Sequence, residues 1–328
     1  MQFKLGAWLS FTIGSVLLGL FASPVLADTM ELPNGDVYEG DILGGQRHGT
    51  GVYRWVNGNQ YAGQFITNTM HGDGTFTWQD GRTYQGGFVQ DRREGIGELS
   101  WVNGDHYQGS FRNNLMHGNG TFTWSNKDNY TGDFVLGRRS GQGTFVWANG
   151  ARYLGLFENG LLQGDGVYQW ADGRVYRGSF DQGAKQGVGE LTWTNDNRYV
   201  GEFTADQRTG KGVYYWRDGT VFRGVFDDGR MAGWGVKQSP EGQRELQNWE
   251  DGVLKRTTQL VVVEHCQFER FDRDWMVDSK DCINGRAHGQ GIAASLDGDF
   301  ILVDARFVLG RMVAGTIETL PEPQVKAE

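Results

Sequence analysis

Proline is missing from a long central part of this chain. None of its five prolines falls between residues 34 and 239; they are Pro24, Pro33, Pro240, Pro321 and Pro323. Proline has no backbone N–H and cannot donate to a β-sheet ladder. The gap therefore indicates a continuous sheet that uses every backbone donor, and Pro33 stands at its start, where an edge strand tolerates proline.

The chain also lacks the motifs of common enzyme classes. It has no phosphate-binding P-loop, no His-Glu-x-x-His and no Gly-x-Ser-x-Gly. Basic charge is scarce, because 31 Lys and Arg stand against 40 Asp and Glu, which gives a formal net charge of −9. That balance disfavours nucleic acid and acidic lipid as partners. We expect no enzyme activity and no cofactor.

Cysteine is nearly absent, and metal-binding spacing is missing. Cys266 and Cys282 predict one disulfide in an exported chain, worth about 3 kcal/mol by chain entropy; two unpaired thiols are the alternative. Three histidines share one position of the repeat described below: His48, His71 and His117. Adjacent copies of a two-stranded repeat lie about 10 Å apart, so packing within loops is favoured over a shared metal.

A 23-residue pattern is present nine times between residues 38 and 244, without insertion or deletion. An aromatic ring opens every copy: Tyr38, Tyr61, Tyr84, Tyr107, Tyr130, Tyr153, Tyr176, Tyr199 and Phe222. A fixed period of this kind is typical of stacked repeats, in which each unit buries its apolar surface against its neighbours. The sequence therefore predicts an extended array rather than a globular enzyme.

The pattern reads Tyr-x-Gly-x-Phe, a polar stretch, Gly-x-Gly-x-aromatic-x-Trp and a turn. The spacing of two predicts a pair of short antiparallel strands, aromatic on one side and polar on the other. The third and fourteenth positions are glycine in all nine copies and lie on the aromatic side. Room for neighbouring rings is favoured over backbone approach to a ligand as the reason for these glycines.

The two connections in each copy differ. Asn-Gly or Asp-Gly follows the Trp strand in six copies, as in Asn57-Gly58, and predicts a two-residue turn with positive φ at both residues. Asn126-Lys127 and Asn195-Asp196 should form less favourable turns, Asp less so than Lys. The other connection is predicted to be a loop of about six residues that ends in glycine, as in Met70-His71-Gly72.

The ends of the chain divide into further segments. Residues 1–27 are predicted to be a cleavable export signal, because Lys4 precedes an uncharged run to Ala27; an uncleaved membrane anchor is the alternative. A half repeat with an N-terminal edge strand spans 28–37, and degenerate repeats with a C-terminal cap span 245–318. Residues 319–328 are predicted to be a disordered tail. We expect the repeats outside the cytoplasm: periplasmic, secreted or envelope-associated.

The repeated motif, exemplified by Tyr61, Gly63, Phe65, Gly74 and Trp78, resembles the MORN repeat (membrane occupation and recognition nexus). The resemblance covers about residues 38–244. It implies an all-β fold, an elongated and twisted antiparallel sheet of stacked β-hairpins, with a degenerate C-terminal cap here. It also implies a scaffold, a dimerisation module or a docking surface, in some members for acidic phospholipids. Members also occur beside catalytic domains.

Two sets of residues are candidates for binding. Basic residues at the ninth and tenth positions recur in alternate copies, with apolar residues between them: Arg92, Arg93, Arg138, Arg139, Lys185 and Arg230. We expect them in the longer loop, in clusters about 19 Å apart along one edge, where they dock an acidic partner or a plane of lipid head groups, or simply keep the loops soluble. The second set is the Trp of the first eight repeats: Trp55, Trp78, Trp101, Trp124, Trp147, Trp170, Trp193 and Trp216.

These observations favour a non-enzymatic, exported scaffold at the cell envelope that holds another protein or a second copy of itself. The alternative is binding of envelope glycan or lipid head groups, with the Trp rings stacking on sugars. Packing of those rings on neighbouring Phe and Tyr competes with that role. A catalytic C-terminal segment that uses residues such as His265 and Trp275 is the least favoured hypothesis, because it shows no recognisable constellation.

Overall fold

Two antiparallel sheets make up the fold. The structure is a computed structural model and describes residues 28–260, 275–284, 286–295 and 300–319. All regular structure in these residues is β-strand, with 21 strands in one sheet and four in the other. The strands of the large sheet are β1 Asp28–Glu31, β2 Val37–Leu43, β3 Gln46–Arg54, β4 Gln60–Ile66, β5 Thr69–Thr77, β6 Thr83–Val89, β7 Arg92–Ser100, β8 His106–Arg112, β9 Leu115–Thr123, β10 Asn129–Val135, β11 Arg138–Val146, β12 Arg152–Glu158, β13 Leu161–Gln169, β14 Val175–Asp181, β15 Ala184–Thr192, β16 Arg198–Thr204, β17 Gln207–Tyr215, β18 Val221–Asp227, β19 Arg230–Gln238, β20 Arg244–Glu250 and β21 Val253–Leu260. Those of the small sheet are β22 Trp275–Ile283, β23 Arg286–Ser295, β24 Phe300–Val308 and β25 Arg311–Thr319.

The predicted hairpin per repeat is confirmed. A seven-residue strand that carries the Tyr alternates with a nine-residue strand that carries the Gly-x-Gly of the motif, as in β4 and β5. In the register of these two strands Tyr61 lies opposite Phe76 and Gly63 opposite Gly74. Residues directly opposite each other share a face, so the aromatic residues of both strands collect on one side. We call this side the aromatic face.

The paired glycines make room for the tyrosine ring. A Cβ placed on Gly74 would stand 2.4 Å from the Oη atom of Tyr61, and one on Gly63 would stand 2.5 Å from it. The ring therefore lies across the glycine pair, and its hydroxyl donates to the backbone oxygen of Gln64 at 3.0 Å. This confirms that room for a ring, as predicted from the sequence, explains both glycines.

The core runs along the array without interruption. The opening ring of each repeat is fully buried, and the Phe four residues later in the second to ninth repeats is nearly so. Phe65 meets Tyr38 and Tyr61 edge-on, with ring centroids 5.1 Å apart in both cases. Each Phe thus joins the tyrosines of two successive hairpins, which is the nearest-neighbour packing expected of a repeat array.

The prediction for the turns was wrong. The connection after the Trp strand is the longer one, and the two-residue turn lies at the other connection. After the Trp strand, Gly58 N donates to Trp55 O at 2.9 Å, and only Gly58 has positive φ (87°). That is a three-residue loop with one left-handed residue. The tight two-residue turn is the other connection, where Thr67 and Asn68 have φ of 47° and 68°. The expected six-residue loop is absent from these described residues, because β5 begins at Thr69.

The segment before the first repeat forms a strand and a three-residue loop. Strand β1 pairs antiparallel with β2 from Asp28 to Glu31. Leu32 N donates to Asp36 O at 2.9 Å, and Gly35 N donates to Leu32 O at 2.8 Å. These are the bonds of the three-residue loop in the later repeats, so the half repeat continues the same pattern.

The small sheet packs against the large one. Val236 and Leu246 of β19 and β20 form a buried cluster with four residues of β23 and β24: Ile292, Ala294, Ile301 and Val303. The small sheet keeps one feature of the repeats, because Gly310 N donates to Ala287 O at 2.8 Å between successive turns. Cys266, residues 1–27 and residues 320–328 lie outside the described residues, so the disulfide to Cys282, the export signal and the tail stay predictions.

Candidate interaction surfaces

The tryptophans of the aromatic face are half-buried in ladders of rings, which are interrupted where Leu99 and Leu191 replace the ring two residues before the Trp. Trp124 lies 4.4 Å from Phe122 of its own strand and 5.3 Å from Phe145 of the next repeat, measured between ring centroids. All eight predicted Trp residues are half-buried in the same way. Much of their surface is therefore engaged in packing between repeats, and their role in binding stays a prediction.

The basic residues at the tenth position lie in strands, not in a loop, which corrects the prediction. The Arg139 guanidinium lies 4.9 Å from the ring centroid of Phe145 and donates to the Gly160 backbone oxygen at 2.7 Å. Its burial lowers the pKa of Arg139 below the ordinary arginine value. Arg93 makes equivalent contacts, whereas Lys185 pairs with Asp206 at 2.6 Å. These three cations therefore join successive hairpins.

The ninth position is different. Arg92, Arg138 and Arg230 are exposed at the first residue of their strands. Of the six predicted basic residues, these three remain open to a partner. Arg47 and Arg208 were missed by the sequence reasoning, although they occupy the tenth position and pack on rings in the same way. Arg208 also interrupts the predicted alternation of basic and apolar copies, because the seventh and eighth copies both have a basic tenth residue, Lys185 and Arg208.

Side-chain bonds between successive turns were a second omission. At the edge of the three-residue loops, Asp105 Oδ1 accepts from Ser125 N at 2.8 Å. At the opposite edge, Asn68 Oδ1 accepts from Arg47 N at 2.9 Å. Equivalent bonds recur 20 or 21 residues apart elsewhere, for example at Asn59, Asp91, Asn114, Asp128 and Asn197. The recurring Asn and Asp at these positions was the available signal.

The side of the sheet opposite the aromatic rings carries a cleft of about 860 Å³. We call it the cleft face; it consists mainly of the second, thirteenth and fifteenth residues of each repeat. Aliphatic residues line the cleft: Leu154, Val167, Val188 and Val200. Three charged residues join them, Asp165, Arg177 and Glu190. Leu154 and Val188 are 49% and 52% exposed, so part of this apolar lining faces solvent.

The small sheet covers the next part of the same face. Val236 holds the fifteenth position of the ninth repeat, which is equivalent to Val167 in the cleft. It is only 5% exposed, because it packs on residues of β23 and β24 such as Ile292 and Ile301. The cleft is therefore the uncovered continuation of a face that already holds one β-structure.

A shallower recess of about 590 Å³ lies on the aromatic face near the end of the array. Three Trp rings line it, from Trp193, Trp216 and Trp249. Arg208 and Arg230 stand at the same recess. It brings together two of the predicted Trp residues and one of the predicted exposed arginines, Arg230.

Neither a metal site nor a membrane-spanning helix occurs in the part of the chain that the structure describes. No group of three or more His, Cys, Asp and Glu in this part of the chain could hold a metal ion. His48, His71 and His117 lie in strands β3, β5 and β9 of three different repeats. No helix suited to crossing a membrane occurs in the described segments.

The geometry defines a class of protein: an open antiparallel sheet built from a repeated hairpin of 23 residues. The chain belongs to the MORN repeat family. Eight consecutive repeats match, which together make up more than half of the chain: 38–60, 61–81, 84–106, 107–129, 130–152, 153–173, 176–198 and 199–221. The ninth copy is not matched, although β18 and β19 continue the hairpin with Gly224 opposite Gly235. A MORN array of this kind is a repeat scaffold for protein or lipid interaction.

Similarities to solved structures are weak. The TCP domain of SAS-4 (dCPAP) of Drosophila melanogaster, in complex with a proline-rich motif of Ana2, is 18% identical with a TM-score of 0.32 over 46% of this chain and 83% of that chain. The E1021V mutant of the TCP10 domain of Danio rerio CPAP is 15% identical with a TM-score of 0.23 over 70% and 98%. Virginiamycin B lyase from Staphylococcus aureus is 8% identical with a TM-score of 0.14 over 83% and 92%. None of these likenesses bears on the function of this chain. No curated protein matches the sequence significantly.

Proposed function

We propose that this chain is a non-enzymatic, exported scaffold at the cell envelope that holds an extended apolar segment of another protein in its cleft. The observation that carries the proposal is the position of the cleft beside the small sheet. The chain already covers one part of this face with its own aliphatic residues, among them Ile292 and Ile301. The adjoining part has the same aliphatic character but stays open.

The chemistry of the cleft suits a peptide. Leu154 and Val188 offer exposed aliphatic surface, and burying such surface contributes about 25 cal/mol per Å². Arg177 and the two carboxylates of Asp165 and Glu190 place charges of both signs at the same cleft, which can fix the direction of a bound segment. The long uncharged N-terminal run supports export.

Site-specific photo-crosslinking in the native host tests the cleft. A photoreactive side chain at Leu154 or Val188 is expected to give discrete protein adducts. Val102 provides the matched control, because it is a 70% exposed aliphatic residue on a distant three-residue loop. Adducts of equal yield from Val102, or no adduct from the two cleft positions, contradict the proposal. Mass spectrometry of the mature N-terminus, together with cell fractionation, tests export.

Envelope glycan is a second candidate ligand, favoured by the recess with three Trp rings. Sugar rings stack on exposed indole faces, and the nearby arginines suit acidic sugars. Retention of the protein on wall polysaccharide is the measurement. Trp216→Ala is expected to abolish retention, whereas Trp101→Ala, outside the recess, leaves it intact. Equal retention of both variants speaks against this site, and equal retention on lipid vesicles would favour head groups instead.

A further inference from the structure

The cleft has an ordered pattern of side chains along one row of the sheet. The row consists of directly facing residues on strands β12 to β16: Leu154, Val167, Arg177, Glu190 and Val200. Neighbouring strands are about 4.8 Å apart, so the row is about 19 Å long. A segment that lies along it meets aliphatic surface, then charge, then aliphatic surface again.

Arg177 has no ion pair in the part of the chain that the structure describes, although it is exposed at the centre of this row. Glu190 lies directly opposite but pairs with Arg198, at 3.5 Å between Oε2 and Nη1. Asp165 accepts from the Ser179 hydroxyl at 2.7 Å. The centre of the cleft is thus a cation between two aliphatic patches. That arrangement suits a carboxylate that stands between two aliphatic side chains.

The small sheet lies next to the cleft. Its strands are ordered β22-β23-β24-β25, and β22 contacts β21 at the end of the large sheet. Since β23 and β24 cover β19 and β20, β25 forms the edge of the small sheet remote from β21, on the side where the cleft lies. Between the two, Val213 is fully buried and Val200, which also lines the cleft, is 2% exposed. One apolar surface therefore leads from the small sheet into the cleft.

The chain continues after β25 with a segment of matching chemistry. Residues 320–328, which lie outside the described residues, read Leu-Pro-Glu-Pro-Gln-Val-Lys-Ala-Glu. Glu322 stands between two aliphatic residues, Leu320 and Val325. At about 3.1 Å per residue in an extended polyproline conformation, Glu322 is about 6 Å from Leu320 and about 9 Å from Val325. Arg177 lies about 10 Å from the outermost aliphatic residues of its row, so all three side chains can reach their counterparts.

The two prolines of this segment suit a site on the face of a sheet. Pro321 and Pro323 have no backbone N–H, so the segment is a poor addition to a strand ladder. The strands beneath the cleft are already paired on both sides, so a ligand there gains side-chain contacts rather than ladder bonds. Proline also reduces the conformational entropy that a segment loses when it becomes ordered.

We propose that residues 320–328 bind in the cleft of the same chain. The Glu322 carboxylate pairs with Arg177. Leu320 and Val325 lie against the aliphatic residues on either side. The inference rests on the proposed function, in which the cleft takes an extended apolar segment, and adds its regulation, because the chain's own segment competes with the partner's. A tethered segment acts at an effective concentration on the order of millimolar, so even weak binding keeps the cleft occupied.

Photo-crosslinking in the purified natural protein, with the N-terminus that the cell gives it, tests the contact. A photoreactive side chain at Leu154 is expected to give an adduct with residues 320–328, which mass spectrometry locates. A mixture of isotope-labelled and unlabelled protein shows whether each adduct joins a chain to itself, as expected, or joins two chains. Val102 is again the control. No adduct from Leu154, an equal yield from Val102, or adducts only between two chains would each overturn the proposal.

Charge exchange in the full chain tests the pairing of Glu322 with Arg177. Arg177→Glu or Glu322→Arg alone is expected to lower the yield of the intramolecular adduct about threefold or more, because each variant sets like charges together. The two substitutions combined should restore the yield, which also shows that each substitution leaves the fold intact. Arg112→Glu is the control, since it makes the same charge change at an exposed residue beside a distant turn. Equal loss in Arg112→Glu, or no recovery in the combined variant, contradicts the pairing.

Crosslinking in the native host separates this inference from the proposed function. Glu322→Arg frees the cleft, so adducts of Leu154 with a partner protein should increase about threefold or more over those of the natural chain. Partner adducts whose yield ignores Glu322→Arg would overturn the inference and leave the proposed function intact. An intramolecular adduct without any partner adduct would contradict the proposed function and, with it, the regulatory role of the segment.

Discussion

At the residue scale, an absent side chain decides where the buried ring that opens each repeat can lie. Tyr84 lies across Gly97, and a Cβ at that glycine would stand 2.4 Å from the tyrosine Oη and 2.5 Å from Cε2. A buried ring between packed neighbours has little freedom to give way. We therefore expect Gly97→Ala to lower the free energy of unfolding by about 1–3 kcal/mol, the usual cost of overpacking. Urea unfolding followed by tryptophan fluorescence measures it.

The adjacent residue is the control for this substitution. Ile96 is 69% exposed on the cleft face, so Ile96→Ala alters the same strand without touching the ring. Its effect should stay within about 0.5 kcal/mol, as for most surface substitutions. Equal destabilisation by the two variants would mean that general loss of strand propensity, not the tyrosine ring, explains the effect at Gly97.

One residue of the three-residue loops is held in an unfavourable conformation. Lys127 has φ of 77°, in the place where seven other copies have glycine. Side chains other than glycine, Asn and Asp cost about 1–2 kcal/mol in the left-handed region. Lys127→Gly is therefore expected to stabilise the protein by about 1 kcal/mol, and Asp196→Gly by less, because Asp tolerates this region better. Thermal unfolding measures both, and Lys127→Gln should give no gain, since it removes only the charge.

At the scale of the hairpin, the sequence predicted the strands correctly but assigned the turns to the wrong connections. Asn-Gly signals a left-handed glycine in both a two-residue turn and a three-residue loop, so it cannot fix the length without the strand ends. The true two-residue turns include Thr67-Asn68, a pair without a strong turn signal. Its positive φ values are held from outside the hairpin, because Asn68 N donates to Arg47 O of the preceding repeat at 3.0 Å. Local sequence carries no trace of that bond.

For the surfaces, too, features that depend on one strand could be predicted, and features that depend on distant contacts could not. The tyrosine and glycine positions could be predicted, since alternation within one strand places them on one face. The cleft could not, because its extent depends on where the small sheet covers the array near Val236. Arg139 looked like a surface charge in the sequence, yet its guanidinium lies on rings from two repeats. Arginine chains are long enough to be half-buried without losing their charge.

Acid should loosen the contacts between hairpins. The Ser125 backbone N–H donates to Asp105 and holds the pKa of that carboxyl below its ordinary value. A lowered folded-state pKa contributes stability that is present above the unfolded value near 4 and is lost as pH falls through the folded pKa. Asn59 makes the same bond without a titrating group, to Gln79 N at 2.9 Å. Asp105→Asn is therefore expected to keep most of the stability at pH 7 and to lose less than the natural chain at pH 3.

Urea midpoints at the two pH values test this expectation. Asp105→Ala is the matched variant, because it removes the acceptor and should be destabilised at both pH values, typically by about 1 kcal/mol. An equal acid-induced loss in the natural chain and in Asp105→Asn would show that other carboxylates, not this contact, govern acid sensitivity.

At the scale of the whole molecule, the repeats form one line of buried phenols. Burial raises the pKa of five tyrosines to about 12: Tyr61, Tyr84, Tyr107, Tyr130 and Tyr153. It raises the pKa of Tyr176 and Tyr199 as well. Since each ring joins two hairpins, ionisation at one site weakens the contacts of its neighbours. The molecule therefore couples a local titration to the integrity of the array.

Alkaline unfolding is the expected result. A folded-state pKa above the unfolded value near 10 contributes stability that is fully present below pH 10 and is lost as pH rises through about 12. The absorbance of tyrosinate and the loss of β-sheet circular dichroism should therefore rise together in that interval, as one cooperative change. Tyr107→Phe is expected to cost about 1 kcal/mol at pH 7, where it loses the hydroxyl bond to Ser110 O at 2.9 Å, and to lose less stability than the natural chain as pH rises. Phe222 shows that the ninth repeat packs a ring without the hydroxyl at this position. Tyrosines that titrate near pH 10 while the sheet signal stays intact would show that the rings are open to solvent, and that the aromatic core does not hold the hairpins together.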